Sequence, residues 1–109
     1  MALVPVDSRV AAVTTNSVTV YTFGAGFRNL AVVNLTGSGS VGYRFDTSTN
    51  QTTTNPLTAD NWVLPAAVGS SWQHSLVGDD GNADDETAPA FYVEITGAQA
   101  DTVAVTAWA

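Results

Sequence analysis

The sequence lacks cysteine and lysine entirely, and it has few charged residues of any kind. Its 109 residues include three arginines and one histidine, and only 12% are charged. Globular proteins usually carry about twice that charged fraction. Without cysteine the chain has no disulfide framework and no thiolate to serve as a nucleophile or zinc ligand. Few groups remain for acid–base or metal chemistry.

Positive charge is particularly scarce. Ten acidic residues against three arginines give a formal net charge of −7 at pH 7. Proteins that bind nucleic acids use Lys and Arg to displace counterions from the phosphates, and anionic membrane surfaces attract the same residues. We therefore expect neither a nucleic-acid partner nor a membrane partner.

Long hydrophobic runs are also missing. No stretch of about 18 consecutive apolar residues occurs. The N-terminus does not show a basic segment followed by an apolar one, which is the pattern of a secretory signal. These features predict a soluble protein without a removable signal.

What the sequence does contain is a series of short segments with period-2 or β-branched character, separated by turn residues about every 8–12 positions. They predict an all-β fold, namely a single antiparallel β-sandwich or jelly roll of about eight strands spanning residues 9–109. Residues 1–8 are expected to form an extended N-terminal arm. The predicted strands cover residues 9–14, 17–23, 29–35, 41–46, 62–65, 70–77, 90–96 and 102–108.

Several of these strands carry a more specific expectation. Only two turn residues separate the first two, which predicts a hairpin. The almost continuous apolar run at 29–35 predicts a central strand covered on both faces. In 41–46 the two sides of the strand alternate, and Arg44 on the polar side is expected to face Glu94 across a sheet.

Residues 37–42 match the G-x-G-x-x-G pattern of dinucleotide-binding loops. That pattern works because its glycines open a helix whose N-terminal amides hold a pyrophosphate. Here the following residues, 41–45, alternate as a strand. We therefore predict a flexible hairpin loop and not a phosphate site.

The densest group of carboxylates lies in residues 79–86. Calcium prefers six to eight oxygen ligands, but the spacing here does not match the regular calcium-binding loop. A run of like charges is more typical of a solvated loop, so the sequence predicts no required metal. The weak calcium candidates are Asp79, Asp80, Asp84, Asp85 and Glu86.

The sequence shows no catalytic constellation. His74 is the sole histidine, and the G-x-S-x-G pattern of a nucleophile elbow is absent. Asp7 and Asp101 have no carboxylate partner nearby in sequence, so a glycosidase pair is not indicated. We predict a protein that is not an enzyme, with no catalytic residue and no cofactor.

The two ends of the chain are unusually apolar. Pro5 permits an extended arm or an edge strand but not a central ladder position. Because termini fray unless something holds them, apolar ends indicate a sheet that includes them or contact with another chain. The candidate contact residues for a capsid or a second subunit are Leu3, Val4, Val6, Arg9, Arg28 and Trp108.

One stretch of the chain resembles a known group of proteins. The valine-rich segment 29–34, the strand segment 39–45, a Thr-rich loop, the Asp-Asn-Trp-Val-Leu-Pro segment 60–65 and a Gly-Ser turn into Trp72 follow one another. This order resembles small β-sandwich virion proteins of tailed bacteriophages, which include capsid decoration (cement) proteins.

The resemblance implies a non-enzymatic virion structural protein that binds the outer capsid surface and stabilises the shell. Its implied partner is the major capsid protein, and its implied assembly is a homotrimer over symmetry axes. Its implied location is the outer surface of the virion, after assembly in the host cytoplasm.

A second class stays open at this point. A carbohydrate- or receptor-binding β-sandwich module, such as a fibre or tail component or an adhesion domain, uses exposed aromatic rings as a stacking platform. The residues available for such a platform are Trp62, Trp72, Tyr21, Tyr43 and Tyr92.

Overall fold

Eight strands and no helix make up the regular structure of the described residues. The computed structural model describes residues 6–15, 17–46, 55–58, 61–75 and 90–109. The strands are β1 (Val6–Val13), β2 (Thr19–Phe23), β3 (Asn29–Asn34), β4 (Val41–Asp46), β5 (Trp62–Leu64), β6 (Ser71–Ser75), β7 (Phe91–Gly97) and β8 (Asp101–Trp108). In these parts of the chain no helix is long and apolar enough to cross a bilayer. The predicted all-β class is confirmed.

The strands form two four-stranded sheets in which every neighbouring pair is antiparallel. The first sheet has the order β1-β8-β3-β6 and the second β2-β7-β4-β5. The chain therefore pairs like one long folded hairpin: β1 with β8, β2 with β7, β3 with β6 and β4 with β5. The first and third of these pairs lie in the first sheet, and the second and fourth lie in the second sheet. This rolled-up arrangement is the jelly roll. Of the two architectures left open by the sequence, the strand order identifies this one.

The predicted hairpin between the first two strands is wrong. β1 pairs with β8 in the first sheet, whereas β2 pairs with β7 in the second. Between them the chain crosses from one sheet to the other, with Val13 buried and Thr15 bridged to Gly97. A hairpin and a crossover of this kind bury the same side of each strand, so hydrophobic alternation does not distinguish them.

The core lies between the two sheets and draws on both. On β8 the residues alternate strictly, with Val103, Val105 and Ala107 fully buried and their neighbours partly exposed. Burying an aliphatic side chain of this kind contributes roughly 1.5–3 kcal/mol. The remaining core residues are Val13, Phe23, Leu30, Val32, Val41, Tyr43, Leu64, Phe91, Val93 and Ile95.

The strand covered on both faces is not the one predicted. β3 is central in its sheet, as expected, but its burial alternates, so only one of its sides is fully covered. β7 is the strand that is buried along its whole length. Its outer side carries Tyr92, Glu94 and Thr96, which are polar, so a search for apolar runs does not find it.

The first strand begins earlier than predicted. β1 starts at Val6, and residues 6–8 pair with residues 106–108 of β8. The predicted arm, residues 1–8, therefore overlaps this strand at its last three positions. Leu3 and Val4 lie outside the described residues.

Candidate functional site

The glycine-rich loop holds the chain's own carboxylate. Asp101 is buried at the start of β8 and accepts hydrogen bonds from the backbone amides of Ser38 and Gly39, at 2.8 and 3.1 Å. The Thr36 hydroxyl donates a third bond to it, at 2.6 Å. The loop joins β3 of one sheet to β4 of the other, so the predicted hairpin loop is wrong. Its amides are aimed at an anion, and that anion is Asp101.

Asn34 links this loop to the rest of the fold. Its side chain is fully buried, and its Oδ1 accepts from the Gly37 amide at 3.0 Å. Its Nδ2 donates to the carbonyls of Gly39 and Pro65, at 3.1 and 3.4 Å. Through these bonds the loop after β3 and the turn after β5 are fixed to each other.

Among the described strand residues of the first sheet, none on its outer side has a charged side chain. Four register rows cross it, and Val6, Ser8 and Val10 of β1 stand opposite Trp108, Thr106 and Ala104 of β8. A hydrogen bond of 3.0 Å joins the Ser8 and Thr106 hydroxyls across this surface. We call this surface the uncharged face; its residues are Val6, Ser8, Val10, Ala12, Thr102, Ala104, Thr106, Trp108, Asn29, Ala31, Val33, Ser71, Gln73 and Ser75.

Apolar area is exposed on the uncharged face, mainly along β1. Val6 is 62% exposed and Val10 is 66% exposed. The small side chains Ala31 and Ala104 lie in the inner rows of this face. An uncharged sheet face with exposed apolar side chains, on a chain with a net charge of −7, is a surface suited to contact with another protein.

Charged residues of the described segments lie elsewhere. On the outer side of the second sheet Arg44 Nε donates to Glu94 Oε2, and Glu94 is fully buried. This pair was predicted across the sheet and is confirmed by the register. On the inner side of β1, Arg9 binds Asp7 at 3.0 Å and lies over the Phe23 ring, 5.8 Å from its centroid.

The structure brings some of the predicted contact residues together. Val6 and Trp108 are register partners at one end of the uncharged face, and the Arg28 backbone amide donates to the Trp108 carbonyl at 3.0 Å. Arg9 is on the other side of β1, paired with Asp7. The weak calcium candidates Asp79, Asp80, Asp84, Asp85 and Glu86 lie outside the described residues, and the described residues contain no group of three or more His, Asp or Glu side chains placed to hold a metal ion.

Aromatic rings fill the opening between the two sheets at their β5 and β6 edges. The Trp62 ring stacks on Phe45 with centroids 5.1 Å apart and planes 8° apart, and it also stacks on Tyr43 at 5.9 Å. The His74 ring lies 4.7 Å from Trp62 and 6.4 Å from Trp72, the latter within 9° of parallel. We call these five residues, contributed by β4, β5 and β6, the aromatic edge. Trp62 is 39% exposed and Trp72 is 47% exposed, while Tyr43 is fully buried.

One hydrogen bond inside the aromatic edge joins the two sheets. Tyr43 Oη and His74 Nε2 are 2.5 Å apart. Burial raises the pKa of Tyr43 above its ordinary value and lowers the pKa of His74. Both shifts keep the Tyr43 phenol protonated and the His74 ring uncharged at neutral pH, so this hydrogen bond joins two neutral groups, and the tautomer of His74 sets which of them donates.

We expect His74 to make folding stability depend on pH. The pKa of an unfolded histidine is near 6.5, and burial holds the folded value lower. At a pH between these two values the unfolded chain binds more protons than the folded chain. The contribution of neutral, buried His74 to the free energy of unfolding is therefore complete above pH 6.5 and is lost as the pH falls below it. Urea unfolding should show that the free energy of unfolding falls more between pH 7.5 and pH 5.5 for the wild type than for His74→Gln. Equal losses in the two proteins would contradict this origin.

The two other tyrosines named for a stacking platform are not part of the aromatic edge. Tyr21 is half-buried against the core from β2, and Tyr92 is buried on the outer side of β7. Alternation along the sequence predicts that Phe45 shares a side with Tyr43 and that His74 shares a side with Trp72. It does not predict that these strands and Trp62 come together. The signal in the sequence is that Tyr43 and Phe45 alternate with Arg44 and Asp46, which predicts that both rings point to the same side of the strand.

The uncharged face was not found from the sequence. Its residues come from four strands that are distant along the chain, and only the register shows that they lie side by side.

No family model, no curated protein and no solved structure matches this chain.

Proposed function

We propose that this chain is a non-enzymatic virion structural protein that binds the outer surface of a viral capsid and stabilises the shell, as decoration proteins do. The observation that carries the proposal is the uncharged face, a four-stranded surface on an acidic jelly roll. The order of strand and turn segments in residues 29–76 supports it through its resemblance to phage virion proteins.

The absence of charge on this face favours a protein partner. Bringing uncharged surface against a protein avoids the desolvation cost that buried charges impose. The net charge of −7 favours solubility of the chain before it attaches. On this proposal the partner is the major capsid protein, and the second sheet faces outward.

The size of the face argues for attachment as an oligomer. Four strands about 4.8 Å apart and roughly seven residues long at about 3.3 Å each give a flat area of about 440 Å². Counted over both partners, this is close to the lower limit of about 1,000 Å² for a specific interface. A homotrimer holding three such faces against the shell gains the effective concentration of linked sites.

A single charge on the uncharged face tests this attachment. Val10→Glu places a carboxylate on the exposed row of β1, and we expect at least about a tenfold loss of affinity for the capsid, because that charge must be desolvated on contact. Co-sedimentation with empty capsids, assembled from a capsid protein encoded in the same genome, measures the occupancy. Light scattering of the free protein reports whether it is a trimer.

The matched control is Val63→Glu. Val63 is 44% exposed and points outward from β5 of the second sheet, so the same change of residue is made away from the proposed contact. Val63→Glu should sediment with capsids as the wild type does. The proposal fails if the wild type does not bind the shell, if Val10→Glu binds as well as the wild type, or if the genome encodes no capsid protein.

A further inference from the structure

We propose that the aromatic edge is a binding site for a neutral oligosaccharide. The proposal goes beyond capsid attachment and does not rest on it. The site lies at the β5 and β6 edges of the sandwich, around the side from the uncharged face. β6 contributes to both surfaces, because Ser71, Gln73 and Ser75 lie on the uncharged face whereas Trp72 and His74 point to the other side of the strand.

Exposed indole surface is the first observation. Trp72 is 47% exposed and Trp62 is 39% exposed, although the two residues belong to different sheets. Sugar rings present faces of C–H bonds whose hydrogens carry partial positive charge, and these are attracted to the negative face of an aromatic ring. Indole offers the largest such face among the side chains.

The second observation is that both indoles are held in place before any ligand arrives. Trp62 is stacked on Phe45 with nearly parallel planes, and the His74 ring packs against it at 4.7 Å. Trp72 runs almost parallel to the same imidazole. Rings that are already ordered lose little conformational entropy on binding. The His74 ring is a neighbour of both indoles, so the two indole centroids are at most about 11 Å apart and a short oligosaccharide reaches both.

Charge selects the class of ligand. The side chains that form the aromatic edge carry no positive charge at neutral pH, because His74 is unprotonated there. The chain as a whole is acidic, with a net charge of −7. A phosphate, a sulfated glycan or a nucleic acid would be repelled and would find no cation among the rings. A neutral ligand meets no such barrier.

Hydrogen bonding at the rim suits a ligand with many hydroxyl groups. β5 pairs with β4, and β6 pairs with β3, so each is the last described strand of its sheet at this side. The main-chain groups on the far side of such edge strands are donors and acceptors directed away from the sheet. Apolar stacking surface next to polar main chain is the combination that sugars require.

A glycan array followed by solution titration tests the proposal. The array carries neutral oligosaccharides, with acidic glycans as the comparison, and each neutral hit is titrated by isothermal calorimetry. We expect binding to at least one neutral oligosaccharide and at least about tenfold weaker binding to acidic glycans. Trp72→Ala and Trp62→Ala should each weaken the neutral hit by about tenfold or more, which corresponds to about 1.4 kcal/mol, because each variant removes one stacking surface.

Three further variants make the result specific. Trp72→Phe keeps an aromatic face and should retain part of the binding that Trp72→Ala loses. Trp108→Phe removes an indole from the uncharged face and should bind glycans as the wild type does. Val10→Glu, which is designed to block capsid attachment, should also leave glycan binding unchanged, so failure of one proposal is distinguishable from failure of the other.

Four outcomes would overturn the proposal. The first is an array on which no neutral oligosaccharide binds the folded wild type. The second is binding that survives both alanine variants, with circular dichroism showing that the variants are folded. The third is preference for a proline-rich peptide over every glycan. The fourth is a dimer of the wild type that Trp72→Ala dissociates, because the indoles would then serve a second copy of this chain.

Discussion

Replacing Asp101 with alanine is expected to lower the free energy of unfolding by about 3 kcal/mol. The Asp101 carboxylate accepts three hydrogen bonds, from the amides of Ser38 and Gly39 and from the Thr36 hydroxyl. A buried donor that loses its partner costs about 1–3 kcal/mol. Alanine at this position leaves two main-chain donors unsatisfied in a loop that connects the two sheets.

Urea unfolding measures this loss, and two variants bracket it. Asp101→Asn keeps one carbonyl oxygen but turns an NH2 group toward one of the donors, so its stability should lie between those of the wild type and Asp101→Ala. Asp7→Ala removes an exposed carboxylate whose described partner is Arg9, and it should change the midpoint little. A midpoint for Asp101→Ala equal to that of the wild type would show that the loop does not depend on this carboxylate.

The same bonds explain why the G-x-G-x-x-G match is not a nucleotide site. In a dinucleotide-binding loop the glycine amides are free to meet a pyrophosphate. Here the amides of Ser38 and Gly39 are taken by Asp101, a residue more than sixty positions away. The strand that follows the loop was the sequence's argument against a phosphate site, but the sequence gave no sign that the amides would bind Asp101.

Strand positions were largely predictable because hydrophobic alternation is a local property. The segment Val41–Asp46 was predicted with the bounds that the structure has, and the other strands differ by a few residues at their ends. Strand partners were not predictable in the same way. β1 pairs with β8 at the far end of the chain, and nothing in the sequence near Val13 distinguishes that pairing from a hairpin with β2.

The two candidate surfaces differ in how far the sequence revealed them. Trp62 and Trp72 stand out in the sequence because tryptophan is rare, so the aromatic edge was partly foreseen. The uncharged face is less conspicuous, since apart from Trp108 it consists of Val, Ala, Ser, Thr, Asn and Gln at alternate positions. What marks it is the absence of charge across four aligned strands. That property exists only once the register is known.

The turn that packs on the glycine-rich loop supplies a second prediction of large effect. Gly37 has a φ of +69°, and a Cβ built there would lie 2.4 Å from the Val68 amide nitrogen and 2.7 Å from the Ala67 carbonyl carbon. We expect Gly37→Ala to lower the free energy of unfolding by at least about 3 kcal/mol. Left-handed backbone costs roughly 1–2 kcal/mol for a residue with a Cβ, and the clash with main-chain atoms adds to it.

Two other glycines separate the strain from the clash. Gly69 has a φ of +82° but no atom within 4 Å of a built Cβ, so Gly69→Ala should show the left-handed cost alone. Gly24 has open space and no positive φ, and alanine there should be neutral or stabilising by up to about 1 kcal/mol, because it restricts the unfolded chain. Thermal unfolding should therefore give the highest melting temperature for Gly24→Ala, a lower one for Gly69→Ala and the lowest for Gly37→Ala. If Gly37→Ala melts with Gly69→Ala, the contact with the Ala67–Val68 backbone adds nothing, and the turn yields to accommodate the methyl group.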